Sequence, residues 1–256
     1  MGILNVTPDS FYSGSRHTQS ESLLPQAEKM LREGADFLDI GGYSSRPQAT
    51  DISPEEEIQR VVPAIELVKK TFPEAILSID TFRSGVAGRA LDAGAEMVND
   101  ISGGLLDEEM FQLVARWKVP YIMMHMRGTP QTMTTFTEYE NVVKEVLDYF
   151  HQRIGRLQNL QVADIVIDPG FGFAKNVSQN FEMLRQLQQL RILGKPVLVG
   201  ISRKSMIWKA LQSDPENALN GTTALHAIAL LKGADILRVH DVKEAKEVVK
   251  LINFAR

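Results

Sequence analysis

Several polar side chains of this chain stand at the ends of short apolar segments, where they could share one site. Asp80 and Asp168 each end such a segment, and Asn99 and Asp100 end a third. Carboxylates and an amide on neighbouring segments suit a planar heterocycle that presents several N–H donors and a carbonyl. A single aspartate before a loop is more often an N-cap or a turn former, but so many together favour a common site. The complete set is Asn5, Asp39, Asp80, Asn99, Asp100, His125, Asp168, Ser202, Lys204, Arg238 and His240.

A second group of side chains is cationic. Arg238 and His240 alternate on the last apolar segment, so both could reach the same space. Arg46 and Lys204 stand in loops after two other segments. Such a cluster could bind a di- or polyphosphate. Asn5, after the first segment, could add a neutral oxygen to a Mg²⁺ ion that is also held by phosphate oxygens and waters, although asparagine at a strand end is more often a cap.

These side chains need a scaffold that brings many segment ends together. A repeat of Gly-Ala-Asp or Gly-Ala-Glu followed by apolar residues begins at Gly34, Gly94 and Gly233. Each copy follows a helical pattern, so the glycine predicts a left-handed helix stop and the apolar run a buried strand. With the other short runs this makes eight strands, about 33 residues apart on average, with helices between them. The pattern predicts an α/β fold with one domain over residues 1–256, a (β/α)8 TIM barrel with long loops at its carboxyl-terminal mouth. An open doubly wound sheet would instead concentrate functional residues at one switch point.

The sequence also marks where several of these helices begin. Ser53 followed by Pro54 predicts the first turn of one helix, and Asp241 predicts the start of the last helix. Ser178 or Gln179 is predicted to begin the helix after the sixth strand.

Composition excludes several classes of protein. Of 256 residues, 44% are hydrophobic and 23% charged, which is typical of a soluble globular protein. The net charge of −4 predicts no nucleic-acid partner and no binding to an anionic membrane surface. The absence of cysteine excludes disulfides, thiolate metal sites and a cysteine nucleophile, and it favours a cytoplasmic location. No segment is long enough for an export signal or a membrane span.

The ordered set of motifs resembles the dihydropteroate synthases, a family of pterin-binding barrels. The motifs follow one another from Asn5 to Asp241 at compatible spacing. They are Asn5-Val6-Thr7-Pro8-Asp9-Ser10-Phe11, Asp39-Ile40-Gly41-Gly42 with Ser45-Arg46-Pro47, Asp80-Thr81, Asn99-Asp100, Met124-His125-Met126, Asp168-Pro169-Gly170-Phe171-Gly172-Phe173, Gly200-Ile201-Ser202-Arg203-Lys204-Ser205 and Arg238-Val239-His240-Asp241.

The resemblance implies a reaction and a set of roles. The family members are usually homodimers that join 6-hydroxymethyl-7,8-dihydropterin diphosphate to p-aminobenzoate, giving 7,8-dihydropteroate and diphosphate for folate synthesis. By resemblance, the pterin is held by Asp80, Asn99, Asp168 and Lys204, with Arg238 packed over it; Mg²⁺ is bound by Asn5, and the diphosphate by Arg46, Arg238 and His240. The p-aminobenzoate pocket, where sulfonamides compete, is formed by Ser45, Arg46, Pro47, Phe173, Ser202 and the stem of Lys204, and Met124 is a further substrate-binding residue. The expected catalytic residues are Arg46, Asp168, Lys204, Arg238 and His240.

This assignment agrees with the chemistry of the residues. Early cleavage of the carbon–oxygen bond leaves a pterin cation and a diphosphate anion, so catalysis is expected to be electrostatic. The amine of p-aminobenzoate then attacks without a strong base, which explains why no pairing of a nucleophile with a base is evident.

Three positions depart from the family pattern. The first loop has Ser13 in the stretch where an aspartate is usual, Tyr43 stands where glutamate is common, and Ser45 replaces a threonine. The missing carboxylate predicts weaker closure of the first loop. The chain also begins almost at Asn5, so a segment that precedes the first strand in relatives is expected to be absent.

Two other functions remain as alternatives, and a third is disfavoured. A pterin-binding methyltransferase barrel would share the aspartate and asparagine positions but would not need the motifs at 45–47 and 202–204. A non-catalytic pterin-binding paralogue has Ser13 as its only support. A Schiff-base aldolase is disfavoured, because Lys175 and Lys204 stand in loops beyond their strands.

Overall fold

Eight parallel strands close into a barrel. The computed structural model describes residues 1–6, 16–44 and 51–255, and within them the strands are β1 (Gly2–Asn5), β2 (Leu38–Gly41), β3 (Leu77–Asp80), β4 (Met97–Asp100), β5 (Tyr121–Met124), β6 (Ile165–Asp168), β7 (Leu198–Val199) and β8 (Ile236–Leu237). Strands β1 to β6 pair in chain order, and β7 pairs with β8. Parallel bridges from Ile167 to Val197 and from Gly2 to Val239 complete the ring. The predicted (β/α)8 barrel is confirmed.

Helices cover the outside of this barrel. In the described part of the chain they are α1 (Arg16–Arg32), α2 (Pro54–Thr71), α3 (Ser84–Asp92), α4 (Met110–Trp117), α5 (Val142–Asn159), α6 (Val177–Arg185), α7 (Ser205–Ala210), α8 (Leu219–Leu231) and α9 (Val242–Ala255), with 3₁₀ turns at Met133–Thr135 and Leu187–Leu193. Both α7 and α8 lie between β7 and β8, so this connection departs from the predicted alternation of one strand with one helix. None of the described helices has the length and apolar character needed to cross a bilayer.

The repeated glycines end helices as predicted. Gly34, Gly94 and Gly233 have φ of +94°, +110° and +98°. The amide of the alanine after each glycine donates to a carbonyl five residues earlier, at 2.9 to 3.0 Å. A side chain is strained at such φ values, so glycine ends each helix and directs the chain into the next strand.

Two predicted helix starts have different outcomes. Ser53 caps α2, because its Oγ accepts a hydrogen bond from the Glu56 amide at 3.1 Å. The start predicted at Ser178 or Gln179 is wrong, since α6 begins one residue before Ser178. Asn176 and Gln179 form a reciprocal capping box there, and this places the cap further upstream than the apolar pattern indicates.

The interior of the barrel changes character from floor to mouth. Met97, Ile122, Val166 and Leu198 fill its floor together with Met1. The strand positions between them face the helices and belong to the large outer core. Because side chains alternate along a strand, the interior positions nearest the carboxyl ends are the ones that reach the mouth. Most of these positions are polar, and they form the candidate site.

Candidate active site

Arg238 connects carboxylates from two different strands. Its Nε donates to Oδ2 of Asp39 at 2.6 Å, and its Nη2 donates to Oδ2 of Asp80 at 2.6 Å. The same Asp39 oxygen accepts a hydrogen bond from Nδ2 of Asn99 at 2.9 Å. These four side chains thus form one network inside the mouth, in which Asp39 and Asn99 are buried and the other two are partly exposed. The sequence predicts that Arg238 belongs to a cationic cluster. The structure differs from this prediction, because two carboxylates already neutralise the charge of Arg238.

Burial controls the charge of Asp80. It raises the pKa of this carboxyl group, and the negative charges of Asp39, Glu57 and Asp100 add to the rise, while Arg238 opposes it. The carboxyl group of Asp80 therefore carries an unusually strong preference for partners that donate a hydrogen bond or a positive charge.

Asp168 and Lys204 meet beside Arg238 at Gly200, which follows β7. A Cβ on Gly200 would lie 3.8 Å from Oδ2 of Asp168, 3.9 Å from Nζ of Lys204 and 3.9 Å from Cβ of Arg238. The other carboxylate oxygen of Asp168 accepts from the Gly170 amide at 2.7 Å. The space beside Gly200 is therefore bordered by a carboxylate, an ammonium and the stem of an arginine, and glycine has no side chain to fill it.

The two charged groups at this glycine are both perturbed by burial. Burial raises the pKa of Asp168, against the opposing charge of Lys204. It lowers the pKa of Lys204 to about 8, against the opposing charge of Asp168. Burial thus disfavours the ionised form of each group, and a polar ligand could stabilise that form.

An apolar wall adjoins this polar site. Phe173 lies beneath the Lys204 ammonium, with Nζ 4.5 Å from the ring centroid. Nζ also donates to the Phe171 carbonyl at 2.5 Å. Met124 and Phe173 are buried in one cluster at the mouth, together with Ile101, Met126, Met133 and Ala174. This arrangement offers an aromatic ring a flat apolar contact beside a cation.

Asn5 ends β1 and lies near Asp80. A Cβ on Gly41 would be 3.6 Å from Oδ1 of Asn5 and 3.6 Å from Oδ2 of Asp80. Within the described residues, the Asn5 amide makes no side-chain hydrogen bond. Its oxygen is therefore placed beside the charged network and is available to a ligand or a cation.

Ser202 and His240 pair at the rim. Ser202 Oγ lies 3.0 Å from Nδ1 of His240 and accepts a hydrogen bond from the His240 amide at 3.2 Å. Ser202 is buried and His240 is exposed. This pair therefore joins the loops after β7 and β8.

Several predicted residues lie outside the described part of the chain. These are Ser13 in the first loop and Ser45, Arg46 and Pro47 in the second. Tyr43, just before the second of these gaps, is described. Its ring packs edge-on against Phe82 with centroids 5.1 Å apart, and its hydroxyl accepts a hydrogen bond from Gln131 at 2.6 Å.

Two of the polar residues at strand ends do not join the mouth. Asp100 faces the helices, where its oxygens accept from Ser102 and from the Tyr121 hydroxyl at 2.7 Å. His125 is also buried outside the barrel interior, with Tyr149 packed edge-on at 4.8 Å. The prediction that both converge on the mouth is wrong, because each is one position out of phase with the inward-facing residues of its strand.

Three residues matter more to the site than the sequence indicates. Asp39 organises the Arg238 network, although alone it resembles an ordinary turn former. Gly200 leaves the space between the charged groups, and Lys175 binds the loop that carries Phe173. Asp39 has a recognisable signal in its position at a strand end, and Gly200 opens the motif at residues 200–205, whereas Lys175 has no comparable signal.

Comparison with known proteins agrees with this geometry. The model of the pterin binding enzyme family matches residues 1–240. The chain is 44% identical over 254 residues to a dihydropteroate synthase of Synechocystis, which covers 98% of this chain and 88% of the relative.

Two solved structures are similar over the whole chain. A dihydropteroate synthase from Clostridium difficile, crystallised in the presence of pteroic acid, has a TM-score of 0.94 at 37% identity and covers 100% of this chain and 95% of its own. One from Xanthomonas albilineans, with 4-aminobenzoic acid, has a TM-score of 0.91 at 40% identity and covers 100% of this chain and 92% of its own. The chain therefore belongs to the pterin binding enzyme family and, within it, to the dihydropteroate synthases, which are transferases.

Proposed function

We propose that the mouth of this barrel joins 6-hydroxymethyl-7,8-dihydropterin diphosphate to p-aminobenzoate, forming 7,8-dihydropteroate and releasing diphosphate. One observation carries the proposal: Asp168, Lys204 and Arg238 surround the place that Gly200 leaves without a side chain. A planar heterocycle with N–H donors and a carbonyl matches a carboxylate and an ammonium in such a place. Structures of similar proteins with pteroic acid and with 4-aminobenzoic acid support the choice of substrates.

The pterin is assigned to the inner part of the mouth. Asp80, Asn99 and Asp168 would bind its polar edge, and the Lys204 ammonium would donate to its carbonyl oxygen. Because Asp39 and Asp80 hold the Arg238 guanidinium by two hydrogen bonds, its plane is fixed before substrate binds. A fixed guanidinium plane can stack on a heterocycle at little entropic cost.

The diphosphate is assigned to the outer part, near Arg238 and His240. Within the described residues, Nη1 of Arg238 makes no hydrogen bond, so it can bind an anion. Arg46 is assigned to the same anion by the family pattern.

The residues here also fit a Mg²⁺ ion shared with the diphosphate. The described residues contain no group of three or more acidic, histidine or cysteine side chains that could hold a metal alone. Mg²⁺ in phosphate sites commonly has few protein ligands and completes its shell with phosphate oxygens and waters. The Asn5 oxygen beside Asp80 matches that pattern, and the ion would neutralise charge on the departing diphosphate.

The p-aminobenzoate pocket is assigned to the apolar wall. Phe173 and Met124 would contact its ring, and the Lys204 stem and Ser202 would border it. Ser45, Arg46 and Pro47 are assigned to the same pocket by the family pattern. This is also where a sulfonamide would compete.

The chain's own residues would act by charge. As the carbon–oxygen bond breaks, positive charge develops on the pterin, and the Asp168 carboxylate beside it becomes more favourable in its ionised form. Arg238 and His240 face the negative charge of the leaving group. The attacking aromatic amine loses its proton after bond formation, so these residues need only orient the substrates and exclude water.

The proposal is tested by incubating the protein with both substrates and Mg²⁺. Dihydropteroate measured by chromatography and diphosphate measured by a coupled assay should appear in equal amounts, and omission of p-aminobenzoate should remove the dihydropteroate. Pterin binding without either product would indicate a non-catalytic paralogue. Methyl transfer from a methylated pterin, without diphosphate release, would indicate a methyltransferase.

We also propose that the enzyme is a homodimer. Four apolar side chains on the adjacent helices α8 and α9 are exposed: Ile228 at 40%, Leu231 at 61%, Leu251 at 68% and Phe254 at 80%. They are spaced three residues apart on each helix, so each pair shares a helix face. Light scattering should give the mass of two chains, and the double variant Leu231→Glu, Leu251→Glu should give one. A monomeric wild type would contradict this assignment.

A further inference from the structure

The loop between β6 and α6 is folded around one buried amine. Nζ of Lys175 donates to the carbonyl oxygens of Gly170 at 3.2 Å and Phe173 at 3.1 Å, and it lies 3.0 Å from Nδ1 of His125. The Lys175 side chain is only 7% exposed. Burying a lysine is costly, so its three partners, two in its own loop and His125 after β5, indicate a specific role for this amine.

Other contacts hold the outer side of this loop. Oδ1 of Asn180 accepts from the Gly172 amide at 2.7 Å, and its Nδ2 donates to the Lys175 carbonyl at 3.1 Å. The Tyr139 hydroxyl donates to the Ala174 carbonyl at 2.9 Å. Lys175 is thus the inner support of a loop that is also supported from outside.

The loop in turn supports Lys204. The Phe171 carbonyl accepts from Nζ of Lys204, and the Phe173 ring lies beneath the same ammonium. Lys175 bonds directly to the carbonyl of Phe173. A change at Lys175 therefore reaches the pocket through the two groups that hold the Lys204 ammonium.

We propose that Lys175 is a positioning residue of the reaction: together with His125 it fixes residues 170–174 so that Phe171 and Phe173 hold the Lys204 ammonium in the substrate pocket. This inference rests on the proposed function.

The Lys175–His125 pair can keep its contacts in two protonation states. A charged Lys175 has three donors for two carbonyls and the lone pair of His125 Nδ1, so His125 then carries its proton on Nε2. A neutral Lys175 has two donors for the carbonyls and a lone pair that accepts from Nδ1–H of His125. A tautomer change on His125 therefore preserves the loop when Lys175 loses its proton.

The surroundings place this change near neutral pH. Burial lowers the pKa of Lys175 to about 7; Asp168 opposes the shift, and Lys204 and Arg127 add to it. For His125, burial and the charge of Lys175 hold the pKa well below its usual range, so the ring remains neutral.

Further groups face His125 from the neighbouring elements. Arg127 and Arg153 also disfavour its protonation, and the rings of Tyr139 and Tyr149 pack against it. None of these groups supplies a negative charge that would favour the imidazolium.

The first test is the variant Lys175→Met, which keeps the length of the side chain and removes its donors. We expect the KM for p-aminobenzoate to rise about tenfold while kcat stays within threefold, because the pocket wall is loosened and Asp168 remains. Lys70→Met, at an exposed position of α2, is the matched control and should behave like wild type. A folded Lys175→Met protein with both KM values within twofold of wild type would overturn the proposal.

The second test needs neither the variant nor the substrates. In ¹⁵N spectra of the wild-type histidines, the His125 ring should stay neutral from pH 5.5 to 8.5, and its proton should move from Nε2 to Nδ1 as Lys175 deprotonates. An imidazolium at pH 6, or one tautomer throughout, would overturn the proposed pair. Inactivity of both wild type and Lys70→Met would count against the proposed function instead, so the two failures are distinguishable.

Discussion

Asp39 is the residue whose replacement tests the site network most directly. One of its oxygens, Oδ2, accepts hydrogen bonds from Nε of Arg238 at 2.6 Å and from Nδ2 of Asn99 at 2.9 Å. The other oxygen, Oδ1, is buried and has no partner among the described residues. Asp39→Asn can therefore turn its amide oxygen toward both donors and its NH₂ toward the unpaired side. This variant removes the charge and keeps the hydrogen bonds, whereas Asp39→Ala removes both.

The two variants should differ by a predictable amount. A hydrogen bond to a charged group contributes about 1.5–3 kcal/mol and a neutral one about 0.5–1.5 kcal/mol. Loss of the charge opposite Arg238 then costs about 1.4 kcal/mol, which is about tenfold in kcat/KM for the pterin substrate. Loss of both hydrogen bonds costs about 3 kcal/mol, so Asp39→Ala should lose more than about a hundredfold.

Steady-state kinetics of dihydropteroate formation measure these losses, and thermal unfolding shows whether each variant is folded. Asp36→Asn is the matched control, because the Asp36 side chain is 63% exposed and pairs only with Lys246 in the described structure. Equal kcat/KM for the Asn and Ala variants, or values within twofold of wild type for both, would show that Asp39 does not organise the substrate site.

Three further predictions follow from particular contacts. Gly200→Ala should fold with a melting temperature within about 2 °C of wild type, since the new Cβ would meet no atom closer than 3.8 Å. Calorimetry should nevertheless show that the affinity for pterin is lowered by about tenfold or more. Unchanged affinity would show that the pterin does not bind beside Gly200. Arg238→Lys should raise the inhibition constant of diphosphate about tenfold, because a single ammonium cannot bridge two carboxylates and also bind an anion; an unchanged constant would remove Arg238 from the anion site. Burial lowers the pKa of His226 to about 4, so the unfolded chain takes up this proton first as pH falls below about 6.5 and the native state loses stability. Between pH 7.5 and 5, wild type should therefore lose about 2 kcal/mol more in denaturant unfolding than His226→Gln, in addition to the pH dependence that other groups such as His125 give to both proteins. An exposed control, His151→Gln, should lose as much as wild type, and equal pH slopes in all three proteins would refute the assignment.

Local features of the sequence were sufficient to predict the order of the elements. Glycine at Gly34, Gly94 and Gly233 ends a helix because of its own backbone freedom, whatever surrounds it. Short apolar runs between helical patterns predict buried parallel strands, because a run that is apolar at every position requires burial on both faces of the sheet. The barrel and the place of its mouth followed from these local signals.

The direction of individual side chains depended on register. Asn99 and Asp100 are neighbours in the sequence, but Asn99 bonds to Asp39 in the interior and Asp100 bonds to Tyr121 on the helix side. Side chains on a strand alternate with a period of two. A shift of the strand by one residue therefore moves every side chain from the barrel interior to the helix side, or the reverse. When both faces of a strand are buried, the sequence pattern does not show which of its residues face the barrel interior.

Partnerships between distant residues were decided only by the tertiary structure. Arg238 binds Asp39 and Asp80, which are 199 and 158 positions away in the chain. In the sequence, Lys175 resembles an ordinary loop lysine, and only the tertiary structure shows His125 beside its amine. By itself the sequence determined which polar groups are present and near which strand ends they stand. Closure of the barrel decided which charges neutralise one another, because pairing depends on distances across the ring that no local pattern contains.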